Sequence, residues 1–152
     1  IDLHLGDEWL IPKPNLFFEG GEALDTARKI QYQEVKSPSI TVPANGFILA
    51  RTQEVIQLSD ELAAFIEGRS SFGRAGIFCQ NAGYVDGGFK GSLTLEILNA
   101  NSYPAILYVG TKFGQLVVME TEGDAGGGYK GQYQGQINPK GSELHRHVPK
   151  GK

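Results

Sequence analysis

The chain has 152 residues, a formal net charge of −3 and no basic run; this suits one domain with a sizeable core and argues against binding a long nucleic acid through counterion release. Its one cysteine, Cys79, excludes an internal disulfide and a zinc ribbon, and argues against any catalytic zinc site built on a Cys-x-x-Cys pair. No apolar stretch is long enough to span a bilayer as a helix and no signal peptide is recognised, so no membrane partner and a reducing, cytoplasmic setting are expected.

The chain opens at Ile1 in a strand-like pattern, and the natural N-terminus is expected upstream. Glycine is frequent at 21 residues, which with aromatic and β-branched residues suits short strands joined by tight turns. Ile1, Leu3 and Leu5 alternate with Asp2 and His4 as in a half-buried strand. Residues 15–21 read as a strand end and turn, and residues 23–31 are ambiguous, with room for a short helix. Residues 39–50 read as two strands around a turn at 43–46, and residues 54–58 as another short strand. Ser59, Asp60 and Glu61 suit the cap of one helical turn. A short helix is expected from about Ser70. Residues 77–81, 93–98, 105–109 and 115–120 read as strands, broken by Gly, Pro or Asn. From Gly123 the composition shifts to Gly, Gln, Tyr and Lys, with a glycine run at 126–128. The expected organisation is an all-β sandwich or barrel with one or two short helices over residues 1–122, and a flexible C-terminal lid and tail over 123–152.

Three segments carry residues suited to chemistry. On a strand, Thr94, Glu96 and Leu98 share one face, opposite Leu93, Leu95 and Ile97. A strand glutamate ordinarily faces solvent; in this apolar run Glu96 is alternatively a carboxylate of raised pKa suited to acid–base work. Ahead of it, Ala82-Gly83-Tyr84-Val85-Asp86-Gly87-Gly88-Phe89 reads as the turn of a β-hairpin whose glycines allow close approach to a flat ligand. Asp86 is equally suited to stabilising that turn, and Phe89 to the core. Finally, Arg69-Ser70-Ser71-Phe72-Gly73-Arg74 gathers cations and hydroxyls at a possible helix start, which suits an anion. Its glycine and lysine spacing is not that of a Walker loop. His145-Arg146-His147 is too thin a cluster for a metal site and reads as a solvated terminus.

As an ordered set these pieces resemble a known family. Gly68-Arg69-Ser70-Ser71-x-x-Arg74 is followed by Ala82-Gly83-Tyr84-Val85-Asp86-x-Gly88-Phe89-x-Gly91, then Leu95-Glu96-x-x-Asn99, Gly110-x-x-x-Gly114-Gln115-Leu116 and Tyr133-Gln134-Gly135-Gln136. This order, with the opening Ile1-Asp2-Leu3-His4-Leu5-Gly6, is similar to the dCTP deaminase family, which shares a distorted β-barrel or jelly-roll fold and a trimeric assembly with dUTPase.

The resemblance implies roles position by position. Glu96 matches the general base that activates water for attack on cytosine C4, at a position usually apolar in dUTPases. Asp86 matches the aspartate that binds the deoxyribose 3′-hydroxyl and, in dUTPases, orients the hydrolytic water. Phe89 matches the ring under the sugar that leaves no room for a 2′-hydroxyl. Backbone groups around Ala82, in the turn that also holds Gly83 and Tyr84, would read the pyrimidine edge. Arg69, Ser70, Ser71 and Arg74 match triphosphate contacts, with Ser70 and Arg74 also near the catalytic water. Gln115 matches a phosphate-contacting glutamine, and Tyr133 with Gln136 the closing tail. Mg²⁺ would travel with the triphosphate rather than sit in a protein cage, and no zinc is expected. The family's site is shared between subunits, so a homotrimer is expected.

The sequence departs from the pattern at Gln132, where many relatives have Lys, and at Gly87, where proline is common. Gln115 and Gly83 favour a bifunctional enzyme that takes dCTP to dUMP. The alternatives are a deaminase that releases dUTP, a dUTPase without deamination, and a non-catalytic nucleotide-binding regulator.

Overall fold

The computed structural model describes residues 1–80, 83–122 and 128–149, the side chain of Phe18 excepted. In chain order the strands are β1 (Asp2–Lys13), β2 (Leu16–Phe18), β3 (Gly21–Ala23), β4 (Gln31–Lys36), β5 (Ser39–Val42), β6 (Phe47–Gln57) and β7 (Leu62–Gly68). The short helix α1 (Ser70–Arg74) follows, then β8 (Ile77–Cys79), β9 (Tyr84–Val85), β10 (Lys90–Asn99), β11 (Ala105–Tyr108) and β12 (Lys112–Glu120). A 3-10 turn covers Leu144–Arg146.

The main sheet runs β8-β10-β6-β1-β12-β7-β9, with β4 added on β1. It curls because β1 serves two sets of partners. Its first residues pair with β12, and residues 8–13 pair with β4. The register to β6 shifts between Leu5 and Trp9. Gly6 sits at that shift, where a Cβ would meet Arg51 Cγ at 2.8 Å. A bulge of this kind bends a strand and raises its twist. Two two-stranded ribbons, β5–β11 and β2–β3, complete the fold.

The core lies inside the curl. Leu3, Leu5, Trp9, Leu95 and Ile97 are fully buried, each worth about 1.5–3 kcal/mol relative to exposure for an aliphatic side chain. The Trp9 Nε1–H donates to the Ser37 carbonyl at 3.2 Å, so the indole is buried without an orphan donor. Asn99 is also fully buried. Its Nδ2 donates to the carbonyls of Val42, Pro43 and Tyr103, and its Oδ1 accepts from the Asn101 amide. The asparagine that completes the Leu95-Glu96-x-x-Asn99 pattern therefore ties the end of β10 to the β5–β6 turn.

Several expectations change. Residues 23–31 hold no helix. Asn15 Nδ2 donates to the Asp25 carbonyl, and Asp25 in turn closes a tight turn by accepting from the Ala27 amide. Ser59 starts a plain turn into β7, with the Leu62 amide donating to its carbonyl. Residues 54–57 are the end of β6 rather than a strand of their own, and Leu58 follows it. Both β4 and β7 escape the sequence reading. The glycine-rich turn is not a hairpin: β9 pairs with β7, whereas β10 pairs with β6 and β8. The Asp86–Phe89 turn carries the chain from one side of the curl to the other.

Candidate active site

Opposed residues of an antiparallel ladder present their side chains to the same face. Glu96 on β10 is opposite Leu49 on β6, Leu49 is opposite Leu10 on β1, and Pro12 of β1 is opposite Tyr32 on β4. These four strands thus offer Glu96, Leu49, Pro12 and Tyr32 to one face. That face is the floor of a cavity of about 670 Å³. Ile66, Phe89 and Leu93 add apolar wall, and Asp86 stands at the rim. A volume of this size falls in the range of small-molecule sites.

Glu96 is half-buried here instead of facing solvent. Its side chain accepts no hydrogen bond and joins no ion pair among the described residues, and burial raises its carboxyl above the ordinary value. Burial, with the nearby charges of Glu96 and Glu67, pushes the Cys79 thiol up to about 12. Cys79 is therefore a protonated neighbour rather than a nucleophile at neutral pH.

The Asp86 turn is built by steric exclusion. The Phe89 amide donates to the Asp86 carbonyl at 3.2 Å. A Cβ on Gly87 would meet the Asp60 carbonyl oxygen at 2.7 Å, and one on Gly83 would meet Ile66 Cβ at 2.9 Å. A side chain at 87 would require the Asp60–Leu62 backbone to shift. Phe89 is 5% exposed and tilts against Tyr129, with ring centroids 5.8 Å apart. It belongs to both the core and the cavity wall. Tyr84 is exposed on the rim. Ala82 lies outside the described residues.

The tail from Gly128 onward lies along this cavity. The Tyr129 amide donates to the Gly87 carbonyl, and the Gly135 amide to the Lys90 carbonyl, both at 2.8 Å. Gln136 is 7% exposed; its Nε2 donates to the Ser92 carbonyl at 2.7 Å, while its Oε1 has no partner among the described residues. The Lys140 amide donates to Thr94 Oγ1 at 3.2 Å, and Lys140 Nζ reaches back to the Gln132 carbonyl. Tyr133 and Gln136 both line the cavity. Residues 128–142 are thus docked along the cavity by main-chain and side-chain hydrogen bonds. The glycine run at 126–128 falls partly outside the described residues. His145 is only partly exposed beside Glu143, so it is not the solvated group expected of it.

The arginine–serine segment is elsewhere. Arg69, Ser70, Ser71, Arg74 and Gln115 do not line the large cavity. Arg69 and Ser70 line a smaller one of about 240 Å³, with Glu67, Phe72 and Phe113. Neighbouring residues of β7 face different cavities, Ile66 the large one and Glu67 the small one. Ser70, Ser71 and Arg74 are exposed along α1. Arg69 is held by Asp2, Nη1 to Oδ1 at 2.6 Å, and Lys112 bonds the same carboxylate at 2.9 Å. Lys112 first, then Arg69, holds the Asp2 carboxyl below its usual value despite partial desolvation. Gln115 is exposed on β12, opposite both Asp2 and Glu67. Among the described residues no group of three or more His, Cys, Asp or Glu is arranged to hold a metal ion. No helix among them is long and apolar enough to cross a membrane.

Sequence reasoning missed Thr94, Tyr32, Lys140 and Ser142. Thr94 was legible, since it precedes Glu96 by one strand period. Tyr32 and Ser142 were not, because they meet across 110 residues.

A family model described as dCTP deaminase-like matches residues 1–121. The chain is 42% identical over 149 residues to a protein of Persephonella marina named "dCTP deaminase, dUMP-forming", covering 95% of this chain and 80% of that one. It is 36% identical over 145 residues to the protein of the same name from Aquifex aeolicus, covering 95% and 78%. Among solved structures, the 2'-deoxycytidine 5'-triphosphate deaminase of Agrobacterium tumefaciens superposes with a TM-score of 0.60 at 21% identity, over 80% of this chain and 39% of that one. The native EIAV dUTPase gives 0.51 at 19% identity, over 76% and 92%. The strand-rich curl is therefore of the dUTPase-like type, and the chain belongs to the dCTP deaminase-like family.

Proposed function

We propose that the chain deaminates dCTP at cytosine C4 and hydrolyses the triphosphate, giving dUMP, pyrophosphate and ammonia. The observation that carries this reading is Glu96, half-buried on the floor of the large cavity with no side-chain partner among the described residues. A carboxylate raised by burial is a better proton acceptor and a more balanced acid–base group near neutral pH. Glu96 takes a proton from water as its oxygen bonds C4, and passes that proton to N3. It then moves the second proton to the amino group, which leaves as ammonia while the C4 carbonyl forms. The buried, unpaired Oε1 of Gln136 in the same cavity is an acceptor suited to an exocyclic amino group. Phe89 packs under the deoxyribose, and Asp86 binds the 3′-hydroxyl. In the second reaction Asp86 orients a water toward the α-phosphorus, and pyrophosphate leaves.

Arg69, Ser70, Ser71, Arg74 and Gln115 bind the triphosphate, whose Mg²⁺ arrives with it as part of the substrate. These residues lie outside the cavity that holds Glu96. We therefore assign the phosphate contacts at one base cavity to a neighbouring copy, within a cytoplasmic homotrimer. Three proteins similar to this chain carry the name "dCTP deaminase, dUMP-forming", which supports the dUMP-forming outcome.

The test is a time course with dCTP and separately with dUTP, with bases and phosphates resolved. The reading expects dUMP from both substrates and little free dUTP from the first. Stoichiometric dUTP from dCTP, with dUTP itself left intact, leaves only the deaminase. Asp86→Asn should abolish dUMP formation from dUTP.

A further inference from the structure

The tail crosses the cavity floor from β10 to β4, and its far anchor is Tyr32. At the β10 side the Lys140 amide donates to Thr94 Oγ1. Two residues later the Ser142 amide donates to Tyr32 Oη at 2.9 Å. Between them Gly141 lies flat on the Tyr32 ring, and a Cβ there would overlap ring atoms. Tyr32, Glu96, Lys140, Gly141 and Ser142 all line the same cavity. Burial holds the Tyr32 phenol up, against the Ser142 hydrogen bond that lowers it, and the nearby Tyr133 and Glu96 add to the rise.

We propose that Tyr32 is a positioning residue that latches the tail over the base cavity and thereby keeps Glu96 in its desolvated, reactive setting. This rests on the reading of Glu96 as the base. Tyr32 itself touches no reacting atom. Its hydroxyl receives a main-chain donor that would otherwise be left over at the cavity mouth, and its ring supplies the flat surface that only glycine at 141 can approach. Loosening the latch admits water to Glu96 without altering the walls that grip the sugar. Turnover therefore falls more than substrate affinity does.

The test uses the whole chain and two variants that attack the latch from opposite sides. Tyr32→Phe keeps the ring and loses the acceptor; Gly141→Ala keeps Tyr32 and forces the tail off it. Without nucleotide, trypsin should cut after Lys140 faster in both variants than in the parent. With dCTP, kcat for deamination should fall about three- to tenfold, the scale of one lost hydrogen bond, with KM changed less. The double variant should lose little more than either single one, because both break one contact. Parental rates of cleavage and turnover in Tyr32→Phe would overturn the latch. A parent that never turns over dCTP would instead overturn the assignment of Glu96, and the cleavage rates would still decide whether Tyr32 holds the tail.

Discussion

The cavity around Glu96 and the segment around α1 differ in how they are built. The cavity is a four-strand floor whose side chains are placed by ladder register, then roofed by a tail through named hydrogen bonds. Its titratable centre has no side-chain partner among the described residues, and burial raises its carboxyl above the ordinary value. The α1 segment is exposed, and its one well-held group, Arg69, is fixed by Asp2, which Lys112 shares. A group that must move protons needs desolvation and freedom from competing ions. A group that must bind an anion needs positive charge, access and a carboxylate that releases it when a better anion arrives. One chain contains both environments on opposite sides of β7.

The largest expected effect separates the two regions directly. Glu96→Gln keeps size and hydrogen-bonding capacity but removes the proton acceptor. Deamination should fall by about 10² to 10⁴, the usual scale for acid–base catalysis, while dCTP still binds by calorimetry. Near-parental deamination would sink the assignment.

A mixing experiment sharpens the contrast. Glu96→Gln lacks a working floor, and Arg74→Ala lacks part of the phosphate segment. Co-refolded together, they should show more activity than the sum of the two alone, because some cavities then meet an intact segment from a neighbour. Strict additivity would mean that each chain completes its own site.

Phe89 tests whether a wall residue can be purely functional. It is buried and packed on Tyr129, so Phe89→Ala should cost about 3–5 kcal/mol of stability through the space it leaves. Any chain that still folds should use dCTP poorly and discriminate less against CTP. Equal use of CTP and dCTP by the parent would refute the sugar-selection role.

The smallest effects concern pH. In the proposed role as base, Glu96 acts only when ionised, and burial raises its carboxyl. The acidic limb of kcat/KM should therefore lie above about 4.3, the ordinary glutamate value, with rate lost as pH falls through the raised value. Stability runs the other way. A carboxyl raised in the folded state contributes stability below its unfolded value, and that contribution is lost as pH rises through the folded one. Glu96→Gln should thus melt slightly higher than the parent at pH 7, with no gain near pH 4. A limb at or below the ordinary value, or an equal gain at both pH values, would show that Glu96 is solvated.

What the sequence determined by itself was local and ordered. Alternation placed Leu3 and Leu5 inward, set Thr94 and Glu96 on one strand face, and marked the glycine turns around Asp86. The order of short motifs carried the family, and with it the curl of the sheet. Tertiary structure alone decided the partners. Strand β7 was invisible because Ala63 and Ala64 are buried side by side and partly exposed residues flank them, so the segment lacks the clean alternation that signals a half-exposed strand. The hairpin expected before Glu96 failed because a turn does not specify which strand its flanks will join. Local spacing likewise could not say that Glu96 faces a cavity rather than water, since both faces of a strand share the same period. That outcome depends on Tyr32 from one end of the chain and Ser142 from the other closing over the floor. Their meeting is a long-range contact with no imprint on either local pattern.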